Sequence, residues 1–446
     1  MRSAMPGATL TLMLFLAAHT LLSLDRAVMV LLLEPIRREF ELTDNQLALL
    51  TGIGFSLFFA VAGIPIGRLV DRYNRRNILA GSVMLFSFMT AISAAAGSFI
   101  QVLAARSLVG VGEAGGAPAM GSMLADLYPP ERRASAIAIF YAGAPLGTIV
   151  AFLFGGYIAA TQGWRMAFLA AGIPGVLLAF ILMVAVREPT RSAQPDGSDQ
   201  PAPPSLGETI RFAFGQRALR HVMITPILTS SATSGIFTFA ASFFMRSHAL
   251  EIHQVGLLLA VVYGSAGVVG AIVGGRIVDR LARRGEGWRA WYCTIANTLA
   301  APAIALMVLA PGIVASAFGL AAFSFLTYST YGPLLAMLQS LVAGRMRGTI
   351  TAIFYLLSYL LGAASGPQIV GATSDLLRLQ FGEQSLRYAM LTMPILYIWA
   401  AVHFYYAGKS LLVDFLRARA LDAPAEHTPQ FSIPSNDLEP SSWQRS

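Results

Sequence analysis

The chain predicts an all-α membrane protein, with twelve transmembrane helices in two pseudo-symmetric six-helix bundles. Three observations carry that prediction. Of 446 residues, 56% are hydrophobic and only 12% are charged, with a mean hydropathy of +0.63; soluble domains do not have this composition. The apolar residues come in blocks of roughly 20 or more, the length that crosses a bilayer core as a helix. Finally, Gly67–Arg76 (Gly-Arg-Leu-Val-Asp-Arg-Tyr-Asn-Arg-Arg) returns at Gly275–Arg284 as Gly-Arg-Ile-Val-Asp-Arg-Leu-Ala-Arg-Arg. Gly67, Asp71, Arg72, Arg75 and Arg76 thus coincide with Gly275, Asp279, Arg280, Arg283 and Arg284. Such a match at corresponding points of two hydropathically similar halves marks an internal duplication.

The elements follow in order. The first apolar run, about Ala8 to Leu33, is too long for a signal-peptide core and has no small-residue cleavage site before Asp25-Arg26, so it reads as helix 1. Glu34–Gln46 is a polar connection. Helix 2 covers about 47–66 and ends at the first copy of the repeated stretch, read as a loop. Helices 3 to 6 cover about 78–98, 101–125, 134–160 and 165–186. Residues 1–186 are therefore the first half. The linker, 187–217, shifts to Pro, Ser, Gln, Asp and Arg, and is expected to be disordered around Ser192–Pro204. Within it Ser205-Leu-Gly-Glu208 has the form of a capping box, placing a short surface helix over Leu206–Phe214. The second half, 218–409, repeats the scheme near 218–245, 253–275, 291–309, 312–342, 349–373 and 387–408. Residues 410–446 form a cytoplasmic tail that begins amphipathic and is otherwise expected to be disordered.

Charge sets orientation. The net charge of +8 is almost wholly arginine, with Lys409 the single lysine. Most cationic residues fall in the loops following helices 2, 4, 6, 8 and 10 and in both tails. The opposite loops hold Arg37, Arg38, Arg165, Arg246, Arg378 and Arg387. Both termini and the repeated stretch are therefore expected to be cytoplasmic. No segment is long enough for a basic soluble domain, which excludes a nucleic-acid partner. Cys293 is the lone cysteine, so there is neither an intramolecular disulfide nor metal-ligand spacing. No cofactor is expected. A membrane enzyme would need a nucleophile–base or metal constellation, and a receptor an output domain; the sequence offers neither.

Two six-helix halves with Gly-Arg-Leu-Val-Asp-Arg-x-x-Arg-Arg between helices 2 and 3 resemble the major facilitator superfamily. A narrower likeness comes from Leu24-Asp25-Arg26, Arg106-Ser-Leu-Val-Gly-Val-Gly-Glu113-Ala114 and Asp126-Leu-Tyr-Pro-Pro-Glu-Arg-Arg133. Phe140-Tyr-Ala-Gly-Ala-Pro-Leu-Gly147 and Gly163-Trp-Arg165 add to it. Together they resemble bacterial Spinster-like transporters, whose animal relatives move sphingosine phosphate and lysophospholipids. The Asp-Arg pair and the helix-4 Glu also occur in anion:cation symporters, so those two features alone do not separate the families. The resemblance implies alternating access in the inner membrane of a bacterium, by a monomer. It also implies that the repeated stretch holds the cytoplasmic gate shut in the outward-open state. Asp71 and Asp279 would accept hydrogen bonds from a neighbouring helix end, while Arg72, Arg75 and Arg76 meet carboxylates or lipid phosphates.

Charges in mid-membrane cost at least ~2.5–3.5 kcal/mol on insertion scales and so mark function by default. This chain places Asp25, Arg26, Arg106 and Glu113 there, all in the first half. Helices 1 and 4 lie side by side in the superfamily, so Arg26 is expected to pair with Glu113, leaving Asp25 the more readily titrated carboxylate. Asp25 and Glu113 are the proton-coupling candidates and Arg26 the contact for an anionic head group. Arg106, seven residues before Glu113 on the same helix face, reads either as a second anion contact or as a snorkelling interfacial arginine. Gly110-Val-Gly-Glu-Ala-Gly115 matches a dinucleotide fingerprint only superficially, because no strand precedes it. Its glycines, like Gly143, Gly147, Gly155 and Gly156 of helix 5, are expected to let helices approach closely. The glycines of helix 5 also partly resemble an antiporter motif. The second half has no central charge but carries Phe237, Phe239, Phe243, Tyr328, Tyr331, Tyr355 and Tyr359; the last three are candidate substrate contacts. Packing would account for aromatic residues equally. His19, His221, His248, His253 and His403 show no clustering in sequence.

One ionic wall and one apolar or aromatic wall suit an amphiphile such as a lysophospholipid or sphingolipid, moved with protons. The alternatives are a sugar-acid type of organic-anion symporter, which would need more amides and hydroxyls, and a less specific drug or metabolite exporter.

Overall fold

The computed structural model describes residues 7–190 and 205–420. Among these, helix is the only regular structure. Ten continuous segments are long and apolar enough to cross a membrane; one of them, Gly344–Arg419, contains helices 11 and 12. Helix 4 completes the set in two pieces, Phe99–Glu113 and Gly116–Leu127. The disorder expected at Ser192–Pro204 and in the far tail lies outside the described residues.

Observed helices overrun the predicted ones wherever polar residues had been read as connections. Helix 1 spans Ala8–Phe40, and helix 2 consists of Asp44–Thr51 and Ile53–Arg72. Glu34–Phe40 is therefore helical, because Glu34, Arg37 and Arg38 pair along one face at i+3 and i+4. Thr43 closes the short connection with a capping box to Gln46. Helix 3 is Arg75–Ile92, and helix 5 runs from Pro130–Tyr141 through Gly143–Val150 and a π segment to Gly156–Gln162. Helix 6 is Trp164–Ala185. In the second half, helix 7 is Arg217–Ser247, and helix 8 is Ile252–Leu258 continued through a π segment to Ser265–Ala282. Helices 9 and 10 are Gly287–Leu309 and Ile313–Ser340. Helix 11 is Arg347–Leu357, a π segment and Ser365–Phe381, and helix 12 is Met393–Ala420. The amphipathic start of the tail is thus the last turns of helix 12. The surface helix is present at Leu206–Gly215, with the Ser205–Glu208 capping box expected of it. The Ser205 N–H that donates to Glu208 holds that carboxyl below its ordinary range.

Close approach is built on small residues. A Cβ on Gly112 would stand 2.7 Å from the Phe86 nitrogen of helix 3. One on Gly147 would stand 2.1 Å from the Thr20 oxygen of helix 1. The glycines of helices 4 and 5 therefore serve packing, as their spacing suggested.

The repeated stretch is not a loop. Its first copy is helical through Arg72 and resumes at Arg75; its second is helical through Ala282. Backbone near the hydrocarbon must satisfy its own hydrogen bonds, and arginines on the last turns can snorkel while the helix continues. The copies also differ. Arg75 is buried, whereas Arg283 is exposed with Asp279, Arg280 and Arg284.

Candidate functional site

Asp25 and Arg26 are neighbours on helix 1 and point about 100° apart, as successive helical residues do. Each finds a partner on helix 4. Arg26 Nε donates to Glu113 Oε2 at 2.6 Å, and its Nη2 closes on the same oxygen. Arg106 Nη1 donates to Asp25 Oδ2 at 2.7 Å, and Thr90 Oγ1 of helix 3 donates to the other Asp25 oxygen. The expected Arg26–Glu113 pair is present, and Asp25, expected to be the more readily titrated of the two carboxylates, has partners of its own in Arg106 and Thr90. Arg106, 2% exposed, does not snorkel to an interface; it lies in the wall of a smaller cavity of about 130 Å³ that Arg26, Phe55 and Tyr359 also line. Spacing could not show this, because the Arg106–Asp25 pairing depends on how far helix 4 is slid against helix 1.

Burial distinguishes the four charges. Asp25, Arg106 and Glu113 are all buried, whereas the Arg26 side chain is 29% exposed. Glu113 Oε1 and Arg106 Nε make no hydrogen bond among the described residues. A buried acceptor without a donor is costly, and is relieved by protonation or by a change of partner. The Arg26 guanidinium lies over three rings, Phe55 at 5.2 Å, Phe59 at 5.7 Å and Tyr359 at 5.9 Å; Phe55 is also 5.7 Å from the Arg106 guanidinium. Thr90, Phe55 and Phe59 are site residues that sequence reasoning missed, since no charge or motif singles them out.

Arg26 opens onto a cavity of about 370 Å³ between the halves. Its second-half wall includes Phe237, Tyr263, Tyr328, Tyr331, Tyr355, Tyr359 and Tyr397. Tyr331, Tyr355 and Tyr359 thus share the cavity with Arg26, while Phe239 and Phe243 are fully buried in the core. The wall is richer in hydroxyls than its reading as apolar or aromatic implied: Thr229, Ser230, Thr233, Ser234, Thr327 and Ser358 all line it. Most of these donors are already used. Thr229, Thr233, Ser234 and Ser358 donate to carbonyls of their own helices, and Thr233 and Thr327 meet the Tyr397 hydroxyl at 2.8 and 2.9 Å. Thr229, Thr233, Ser234 and Ser358 thus offer a ligand methyl or methylene groups and acceptor lone pairs, beside the rings and hydroxyls of the tyrosines.

The histidines are not all separate. His221 Nδ1 and His403 Nδ1 stand 2.8 Å apart between helices 7 and 12, outside the cavity lining.

At the face opposite the repeated stretch the halves are bound together by ions. Arg246 of helix 7, its side chain 4% exposed, donates to Glu34 at 2.7 Å and to both Asp44 oxygens at 2.7 and 2.9 Å. The Ser374 hydroxyl donates to Asp44 as well, the Asp375 carboxylate accepts from the backbone of Asp44 and Asn45, and Arg37 reaches Glu383. Sequence reasoning took Arg37 and Arg246 only as topology signals. By contrast, Arg75 in the repeated stretch bonds Ser122 and Asp126 of the first half and Glu188 and Pro189 at the start of the linker. That network does not tie one half to the other.

Residues 14–367 match the family model described as Major Facilitator Superfamily. The chain belongs to the major facilitator superfamily. Among its relatives, an MFS-type efflux pump of Mycolicibacterium smegmatis is 30% identical over 84% of this chain and 86% of its own. The sphingosine-1-phosphate transporter SPNS2 of Xenopus tropicalis is 25% identical over 90% and 81%. A crystallised bacterial homolog of the human lysosomal transporter Spinster is 26% identical, with 92% of this chain and 99% of that one aligned. Its inward-facing, unoccupied form superimposes at a TM-score of 0.83 and its inward-facing, occupied form at 0.80. The superfamily member described here is therefore a Spinster-like, multi-pass membrane transporter.

Proposed function

We propose that this superfamily member is a proton-coupled secondary transporter of an anionic amphiphile, of the lysophospholipid or sphingolipid kind. The observation that carries the reading is the partly exposed Arg26, paired with buried Glu113, at the edge of a cavity whose opposite wall offers rings and methyl groups. An anionic head group arriving at Arg26 competes with Glu113 for the guanidinium. Glu113, losing its partner in a buried site, takes up a proton, because an uncompensated buried carboxylate is far costlier than its acid. Asp25, held by Arg106 and Thr90, adds a second carboxylate whose charge state is linked to the first. Substrate and proton must bind the two states of the transporter differently to drive exchange between them. The repeated stretch, through Asp71, Arg72, Arg75 and Arg76 and their second-half counterparts, closes the arginine-rich face in the opposite state. The positive-inside bias makes that face cytoplasmic, with both termini, in a bacterial inner membrane. The unit is a monomer.

An organic-anion symporter is the second reading, favoured by the hydroxyls of the wall; the commitment of most of their protons to helix carbonyls weighs against a polyol. A less specific drug or metabolite exporter is supported by the likeness to the mycobacterial efflux pump. Exchange assays in proteoliposomes, with lysolipids against small organic acids and with or without a pH gradient, separate the readings. Lysolipid exchange that responds to the gradient is expected. Uptake of organic acids with indifference to lipids would replace the proposal with its alternative.

A further inference from the structure

A second cavity, of about 250 Å³, lies at the arginine-rich end of the second half, well away from Arg26. It is many times the ~30 Å³ share of one water. Helices 9, 10, 11 and 12 converge on it, and Arg289, Arg347, Arg419, Glu286, Ser340 and Phe415 line it. Three guanidinium groups thus share the site with one carboxylate. Glu286 is engaged by Arg289 at 2.7 Å, and the Arg419 guanidinium lies 4.7 Å above the Phe415 ring. Glu286 and Arg289 sit at the N-terminal end of helix 9, which begins at Gly287, so the positive end of that helix adds to the cationic field.

The level of the cavity in the membrane can be read from helix 12. Its exposed side is apolar from Ile395 through Trp399 and Val402 to Tyr406, is interrupted by the exposed Lys409, and turns apolar again at Leu412, Val413 and Leu416 before Arg417 and Arg419. Lys409, Arg417 and Arg419 mark these turns as the interfacial part of the helix, the level of phospholipid phosphates. Leu412, Val413 and Leu416, each more than half exposed, offer acyl chains a surface just below. Planar guanidinium groups match the oxygens of a phosphate better than those of any neutral head group, and basic pockets between helix ends are where anionic lipid head groups bind.

We propose that this cavity is a binding site for the phosphodiester head group of an anionic phospholipid from the adjoining leaflet, distinct from the transport cavity. The probe is phosphatidylglycerol in nanodiscs with phosphatidylcholine. Native mass spectrometry of the full chain released from them reads the lipid retained. Enrichment of phosphatidylglycerol is expected for the wild type, with a loss of about fivefold for each of Arg347→Gln and Arg419→Gln. Arg347→Lys and Arg419→Lys keep most of the enrichment if the site recognises charge. Arg211→Gln, on the exposed surface helix, leaves it unchanged. Enrichment that survives both glutamine variants, or falls equally in Arg211→Gln, would overturn the proposal in favour of diffuse surface charge. Displacement of the lipid by millimolar inorganic phosphate or glycerol 3-phosphate would overturn it in favour of a soluble-anion site. Thermal unfolding in neutral detergent accompanies each variant, and the lysine pair keeps the comparison decisive if a glutamine variant fails to fold.

Discussion

Arg26→Ala leaves the Glu113 carboxylate buried without its cation, and breaking a buried pair from one side costs about 3–5 kcal/mol. The variant is expected to unfold at a markedly lower temperature in detergent. Glu113→Gln in the same background recovers most of the loss, because an amide needs no counter-charge there. Glu113→Gln alone is expected to keep the fold and to make exchange indifferent to an imposed pH gradient; gradient-driven rates equal to wild type would remove Glu113 from the coupling. Asp25→Asn tests the other pair. It strands Arg106, so its effect on stability should exceed that of Glu113→Gln, whose partner Arg26 remains partly solvated. At this scale the identities of the four charges were legible in the sequence, because a charge within an apolar run is conspicuous. The assignment of partners was legible only for Arg26 and Glu113. The Arg106–Asp25 bond, and the Thr90 hydroxyl beside it, depend on the stagger of helices 1, 3 and 4, and no intrahelical period reports stagger between helices.

The twin copies of the repeated stretch look alike in sequence and sit differently in their elements. Arg75 opens helix 3, is 2% exposed and meets Asp126 at 2.5 Å and Glu188 at 2.7 Å, whereas Arg283 follows the end of helix 8 and is exposed. Arg75→Ala removes four hydrogen bonds but leaves partly solvated carboxylates behind, and is accordingly expected to cost about 1–3 kcal/mol. Arg283→Ala should stay within about 0.5 kcal/mol, the usual range for surface changes. Thermal unfolding of the two variants side by side checks this, and equal losses would contradict the difference in burial. Helix existence was legible from length and hydropathy throughout. Helix ends were not, since helix 1 absorbs Glu34–Phe40 by pairing its own charges and helix 12 carries its amphipathic turns straight on from the membrane. Polarity marks where the hydrocarbon stops, and a helix need not stop with it.

Across the whole molecule, the halves close on one face through Arg246, which both Glu34 and Asp44 hold. Arg246→Ala is expected to loosen that closure and raise the population open on that side. Spin-label distances between helices 2 and 11 at that face should lengthen or broaden, and distributions identical to wild type would show that the ions are incidental to it. Labelling is practicable because the only native cysteine, Cys293, is fully buried. By itself the sequence determined the twelve-helix, two-half architecture, the family and the location of its intramembrane charges. These follow from hydropathy, from the duplication and from the cost of charge in hydrocarbon, all of which act along the chain. Tertiary structure alone decided that Asp25 is paired, that most threonine and serine hydroxyls of the second-half wall bond carbonyls of their own helices, and that Arg246 joins the halves. Each of these is a contact between segments far apart in sequence, set by packing distances that local composition does not encode.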